Sequence, residues 1–469
     1  MALRQRWRHL RSQPAGPAEL LRTAIPLVIA TGSLSVMHFC DRMFLAWYSS
    51  EAIRAVLPAG LLAYTLMCGF EALVGFGGTL VAHFHGAGHA GGCRAATHQA
   101  LILACLAWPC VLLLIPVGHA ALKLSGHDPA VQSLERLYFD WVMVGSLGSL
   151  LGHALAGFFS GRGDTRATMW AHVAAAVVNI VLDYALIFGH WGCPRLGLQG
   201  AAMATALAQF VPPIWLGLKF VSPSLHRTYA TRAWPRWDRA LAARLLRYGL
   251  PAGGHALLDL TSFTVFVLLL GRFDPVEHAA SNIVISINSL AFVPMIGLGQ
   301  ATTVVVGFYQ GQRQPQWATR AGWTALSLAL LYMGSVGLSY VLVPEWYLGW
   351  FVRNSGDGLS WAEVFPVARP LLWALAIWSV GDATDLALAG ALKGAGDTRF
   401  VMVFSLIMSY GLFLGGEWVW IVLLHCNVYA AWAWSCVYTL AMAVGYVVRF
   451  ARGRWKHIEL VHPHMFEAT

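Results

Sequence analysis

The chain has 469 residues, of which 58% are hydrophobic and only 11% charged, and its mean hydropathy is +0.60. A soluble domain carries about 25% charged residues, so this composition excludes a soluble globular protein. Apolar runs of about 20 residues point to membrane-spanning helices rather than a barrel. The formal net charge of +9 does not mark a nucleic-acid binder, because the basic residues lie in short loops between apolar runs, where they orient a membrane protein.

The N-terminal tail, 1–19, is basic (Arg4, Arg6, Arg8, Arg11). The apolar run after it is too long for a signal peptide and has no small-residue cleavage site, so it reads as a retained first span. Six spans follow the pattern 20–46, 54–84, 95–118, 129–158, 167–190 and 198–221, forming an N-lobe over 20–221. A basic connector containing Trp and Pro occupies 222–248. Its end, Asp238 to Tyr248, sets Leu241, Leu245 and Leu246 against Arg239, Arg244 and Arg247, the pattern of a surface amphipathic helix. Six further spans, 249–271, 278–308, 319–343, 366–391, 400–424 and 428–449, form a C-lobe over 249–450, and a tail covers 451–469. The second, fourth, eighth and tenth spans exceed the bilayer thickness and should tilt or project into water.

The two lobes are copies of one unit. Gly161-Arg162-Gly163-Asp164-Thr165-Arg166 follows the fourth span, and Gly394-Ala395-Gly396-Asp397-Thr398-Arg399 follows the tenth, 233 positions later. Leu20-Leu21-Arg22-Thr23-Ala24-Ile25-Pro26 returns 225 positions on as Leu245-Leu246-Arg247-Tyr248-Gly249-Leu250-Pro251. Val81-Ala82-His83-Phe84-His85-Gly86 returns as Val306-Gly307-Phe308-Tyr309-Gln310-Gly311 at the same spacing. In the Gly-Asp-Thr-Arg turns the glycines let the backbone reverse, Asp with Thr can cap the next helix, and Arg sits at headgroup depth.

With the N-terminus in the cytoplasm, about 23 of the 31 Lys and Arg fall on cytoplasmic segments, as the positive-inside rule requires. Both termini are then cytoplasmic in a bacterial inner membrane. An even number of spans per repeat makes both repeats enter from one side. The expected fold is therefore an all-α integral membrane protein of twelve helices in two six-helix bundles, related by a pseudo-two-fold axis along the membrane normal.

These residues together resemble the MATE (multidrug and toxic compound extrusion) family of cation-coupled exporters, over roughly residues 18–450. The resemblance rests on both Gly-x-Gly-Asp-Thr-Arg turns, Gly249-Leu250-Pro251, Asp41 near the end of span one, and Asn179-x-x-x-Asp183 in span five. One departure is visible: the family's usual Gln three residues before Gly86 and Gly311 is here His83 and Phe308. The resemblance implies a secondary active multidrug efflux antiporter that exchanges H⁺ or Na⁺ for organic cations by alternating access. It implies no cofactor beyond the coupling ion, no metal centre, a monomer, and no partners but the organic cations and the bilayer. A flippase for a lipid-linked sugar is the runner-up, because it shares the superfamily fold; such a protein should line its cavity with Arg, whereas the charges within these spans are mainly acidic.

Charges inside spans are costly and so are functional candidates. Asp41 is one, though Arg42 beside it offers a plain salt bridge. Asn179 and Asp183 are four apart and share a helix face, where an amide oxygen and a carboxylate can bind a small hard cation or a proton, and Thr205 could add a hydroxyl. In the second half, Asp259 and Asp382 match positions where the family often carries coupling acids, and Asp385 is one turn from Asp382, so a shared proton is plausible. Glu71, Asp140 and Glu417 read as solvated helix ends. His153, His172 and His255 lie within spans, where relay and structural roles both stay open; His83 and His85, two apart, face different sides and make a poor metal site. The eight cysteines show no Cys-x-x-Cys spacing; Cys193 and Cys426 fall in loops of the expected outer side, as a disulfide or as free thiols. The chain lacks His-Glu-x-x-His, Gly-x-Ser-x-Gly and Gly-x-x-x-x-Gly-Lys-Ser/Thr, so neither an enzyme nor an ATP-driven pump is expected.

Overall fold

The computed structural model describes residues 13–124, 126–352 and 361–461. The basic N-terminal residues Arg4, Arg6, Arg8 and Arg11, and the end of the C-terminal tail, lie outside the described residues. Among the described residues twelve helices are long and apolar enough to cross a membrane: α1 (Pro17–Tyr48), α2 (Ser50–Gly86), α3 (Ala90–Leu112), α4 (Pro129–Gly161), α5 (Thr165–Phe188), α6 (Leu198–Phe220), α7 (Arg239–Leu270), α8 (Pro275–Gly311), α9 (Pro315–Leu342), α10 (Ala362–Gly394), α11 (Thr398–Leu423) and α12 (Val428–Ala451). A multi-pass membrane protein follows.

Two boundaries differ from the sequence reading for identifiable reasons. The stretch expected as a separate amphipathic helix, 238–248, is instead the start of the continuous α7. Its Leu241 and Leu245 are buried by protein, so the apolar stripe has no need of the bilayer surface. The third span ends at Leu112, and the rest of the expected run forms a short separate helix, Ile115–Leu124. Prolines sit inside α1 (Pro26), α7 (Pro251) and α8 (Pro294), where neighbouring helices can satisfy the freed carbonyls.

The chain divides into two compact units. One comprises Ile25–Leu257, Gly307–Gln314 and Glu459–Thr469; the other comprises Met1–Ala24, Leu258–Val306 and Pro315–Ile458. Within each, a small-residue contact brings two long helices to backbone distance, the usual device for packing in lipid. In the first, a Cβ on Gly161 would stand 2.5 Å from the Gly78 carbonyl oxygen; in the second, a Cβ on Gly394 would stand 2.5 Å from the Thr303 carbonyl oxygen. Thr303 also donates its hydroxyl to the Gly390 carbonyl at 2.9 Å.

The repeated turns thus split their glycines between two jobs. Gly161 and Gly394 end helices and pack tightly, whereas Gly163 (φ +81°) and Gly396 (φ +90°) take the left-handed backbone that reverses the chain. Asp164 and Asp397 stand at the N-cap positions of α5 and α11, yet neither side chain caps its helix. Each instead bonds a basic residue near the end of the sixth helix of its repeat: Asp164 takes Lys219 at 3.0 Å and Asp397 takes Arg449 at 2.7 Å. Each link is a charge-assisted hydrogen bond, the stronger kind. Thr165 and Thr398 are buried behind these pairs.

Candidate functional site

In the first unit, four helices bring polar side chains to one buried point. Asn179 is fully buried with its amide facing two carboxylates; assigned so that the nitrogen points at these acceptors, it donates to Asp41 Oδ1 at 2.7 Å and to Asp183 Oδ2 at 3.2 Å. Asp183 is 0% and Asp41 3% exposed, and the two carboxyls also lie within hydrogen-bonding reach of each other. Asn179 and Asp183 meet because four residues complete about one α-helical turn. Asp41 meets them only because α1 packs its inner face against α5. Thr205, on α6, is buried beside Tyr138 of α4.

Asp41 Oδ2 and Asp183 Oδ1 are buried without a hydrogen-bond partner. Arg42 does not relieve Asp41: its side chain is exposed, and the basic group nearest Asp41 is the His38 ring at 3.8 Å. Among the described residues no guanidinium or ammonium pairs with these two buried carboxyls, and their spare oxygens have the chemistry to take up a proton or a small cation.

In the second unit the acids of α7 and α10 are more open. Asp259 is exposed, while Asp382 and Asp385 are half-buried. The three lie within electrostatic range of one another, and the ammonium of Lys393, two turns beyond Asp385, acts on Asp259 and Asp385. Asp385 keeps one buried oxygen, Oδ1, unpartnered. Lys393 lies two residues past the expected tenth span, 366–391, but the helix continues through it to Gly394.

Two acids read as solvated helix ends are buried. Glu71, 9% exposed, lies in α2 and accepts a hydrogen bond from the Ser149 hydroxyl of α4, whose His153 bonds back to the Ser149 carbonyl at 2.9 Å. Glu417, 0% exposed, lies in α11 and accepts from Ser435 of α12 at 2.8 Å. Glu71 falls well inside the expected span 54–84, a signal that was available. Asp140 remains partly exposed and pairs with His119 at 2.6 Å. Of the other in-span histidines, His172 is half-buried in α5 and His255 is buried in α7. Cys193 and Cys426 are both free thiols. Among the described residues no group of three or more His, Cys, Asp or Glu could hold a metal ion.

Comparison with known proteins agrees with this architecture. The chain is 30% identical over 317 residues to a probable multidrug resistance protein NorM of Mesorhizobium japonicum, covering 65% of this chain and 66% of that one. It is 28% identical over 398 residues to the multidrug resistance protein PmpM of Pseudomonas aeruginosa, covering 84% and 82%. A solved structure described as the outward-facing conformation of a multidrug resistance MATE family transporter of the MOP superfamily superposes with a TM-score of 0.83 at 19% identity, covering 95% of this chain and 98% of that one, a likeness of fold. The MatE family model matches residues 26–185 and 251–416, one segment in each repeat. With twelve spans, duplicated turns and a match through most of both halves, the chain belongs to the MATE family of membrane transporters.

Proposed function

We propose that the chain is a secondary active multidrug efflux antiporter that exchanges H⁺ or Na⁺ for organic cations by alternating access. The observation that carries this reading is the buried pair Asp41 and Asp183, sharing the Asn179 amide with one oxygen of each left unpaired. An ionised carboxylate at bilayer depth costs about 3 kcal/mol or more, so a site holding two of them favours a bound proton or cation. If the driving ion and a cationic substrate each weaken the other's binding, exchange follows from that negative coupling. Asp259, exposed beside Asp382 and Asp385, offers an acidic surface that a cation can reach from water. The named relatives, which are multidrug resistance proteins, support a drug-like cargo. The distribution of Lys and Arg supports an inner-membrane protein with both termini in the cytoplasm.

The test is transport of a fluorescent organic cation by the full chain in proteoliposomes, with Na⁺ and H⁺ gradients imposed one at a time. Efflux should follow one gradient and stop when both are collapsed. Efflux unchanged after both are abolished would refute the antiporter reading.

A further inference from the structure

The duplication places a second buried carboxyl where the first repeat holds Asp183. Between the Asp164 and Asp397 turns the repeats are 233 positions apart. α11 is two residues longer than α5 because it contains two π-helical segments, Ile407–Leu414 and Trp418–Leu423; each wider turn absorbs an added residue. The first segment takes up one added residue, so by its last turn the offset is 234: Phe413, within that turn, corresponds to Asn179, and Glu417, just past it, corresponds to Asp183. The sixth helix of each repeat starts 230 positions apart, after Gly197 and Asn427, so Thr205 corresponds to Ser435. On the 225-residue offset of the first helices, Asp41 corresponds to Phe266.

Contacts within each unit support this register. Asp41 touches Asn179 in one; in the other Phe266 and Phe413 pack with ring centroids 5.2 Å apart and their planes tilted by 43°. Asp183 and Thr205, which both lie close to Tyr138, have their match in Glu417 and Ser435, hydrogen-bonded at 2.8 Å. The second repeat has thus kept the acid and the hydroxyl and replaced the other two polar groups with phenyl rings.

We infer that Glu417, with Ser435, is the second repeat's own proton-binding site, distinct from the Asp259, Asp382 and Asp385 group. Glu417 is fully buried, its Oε2 has no partner, and among the described residues no Lys or Arg pairs with it. Phe266 and Phe413, with Trp378 and Trp432 packed on Phe266 at 5.7 and 6.3 Å, keep this side of the bundle apolar. One carboxylate and one hydroxyl supply too few oxygens to replace the hydration shell of a metal ion, so the ligand is a proton.

The titratable and charged groups around it are few. α12 presents Tyr438, whose hydroxyl bonds Ser409 at 2.8 Å, and beyond α7 Arg272 lies over the Trp418 ring at 5.7 Å. Asp259, Asp382 and Asp385 act on Tyr438. From α8, Ser281 accepts the Trp432 indole at 3.2 Å, with His278 one turn away bonded to Asn282.

The inference rests on the antiporter reading only for its transport consequence, and two measurements separate them. Proton uptake by the purified full chain, titrated from pH 5 to pH 9 in weak buffer, should be lower by one proton in Glu417→Gln and unchanged in Glu417→Asp, which keeps the carboxyl. In proteoliposomes, Glu417→Gln should lose H⁺-gradient-driven efflux about 10-fold or more, with Glu417→Asp retaining it. Equal proton counts in Glu417→Gln and the unsubstituted chain overturn the site. A lost proton with efflux untouched overturns its part in transport. If the chain shows no gradient-driven efflux at all, the antiporter reading fails while the proton count still decides the site. If Glu417→Gln does not fold, Ser435→Ala takes its place and should move the midpoint of that one-proton step; an unmoved titration overturns the inference.

Discussion

Arg449 donates through Nε to Asp397 Oδ2 at 2.7 Å, joining the end of α12 to the turn before α11, and Lys219 repeats the link with Asp164 at 3.0 Å in the other repeat. The two pairs hold equivalent places but differ in environment. The Asp397 and Arg449 side chains are 7% and 20% exposed, against 35% and 44% for Asp164 and Lys219.

Burial makes the first pair the costlier one to break. Asp397→Asn should destabilise the protein by about 2–3 kcal/mol, since it leaves Arg449 desolvated without its counter-charge. Asp164→Asn should cost under about 1 kcal/mol, because solvent screens that pair. Thermal unfolding of the two variants in the same detergent checks the order; equal losses would show that burial does not set the strength of these links.

The acid pair of the first unit predicts a loss of transport without a loss of fold. Asp183→Asn and Asp41→Asn retain the shape and part of the hydrogen bonding around Asn179 but remove the titratable charge. Gradient-driven efflux should fall about 10-fold or more in each, while size-exclusion profiles and melting temperatures stay near those of the unsubstituted chain. The quadruple variant at Asp41, Asp183, Asp259 and Asp382 should show none. Normal gradient-dependent efflux from that variant would remove these acids from the mechanism.

Gly86 and Gly311 close α2 against α8 reciprocally within the first unit. A Cβ on Gly86 would lie 2.1 Å from the Phe308 carbonyl oxygen, and one on Gly311 would lie 2.2 Å from the His83 carbonyl oxygen. His83 and Phe308 are themselves repeat counterparts, so here the departure from the usual Gln leaves a contact made by backbone atoms. Gly86→Ala or Gly311→Ala should force the two helix ends apart at a cost of about 1–3 kcal/mol. Gly334→Ala, in α9 with open space around it, should be neutral or stabilise by about 0.5–1 kcal/mol. Melting temperatures of the three variants test this contrast.

The duplicated turns predict a common side of the membrane. Thr165 and Thr398 are buried and would react poorly, but Arg166 and Arg399 beside them are exposed. Cysteines at Arg166 and Arg399, in a background without reactive native thiols, should both be labelled by an impermeant reagent from the cytoplasmic face only. Labelling from opposite faces would overturn the parallel-repeat topology.

Hydropathy and spacing alone were enough to count twelve spans, find the duplication, and align Asn179 with Asp183, because each depends on residues near one another along the chain. The partnerships that make a site needed the tertiary structure. Asp41 meets Asn179, Glu71 meets Ser149, Glu417 meets Ser435 and Asp397 meets Arg449 only because of how each helix is rotated about its own axis. A helix that is apolar on every side carries no amphipathic stripe to announce that rotation, which is why Glu417 could be mistaken for a solvated helix end. Its equivalence to Asp183 was hidden further by one added residue, which a π-helical turn absorbs without moving the acid off the buried face.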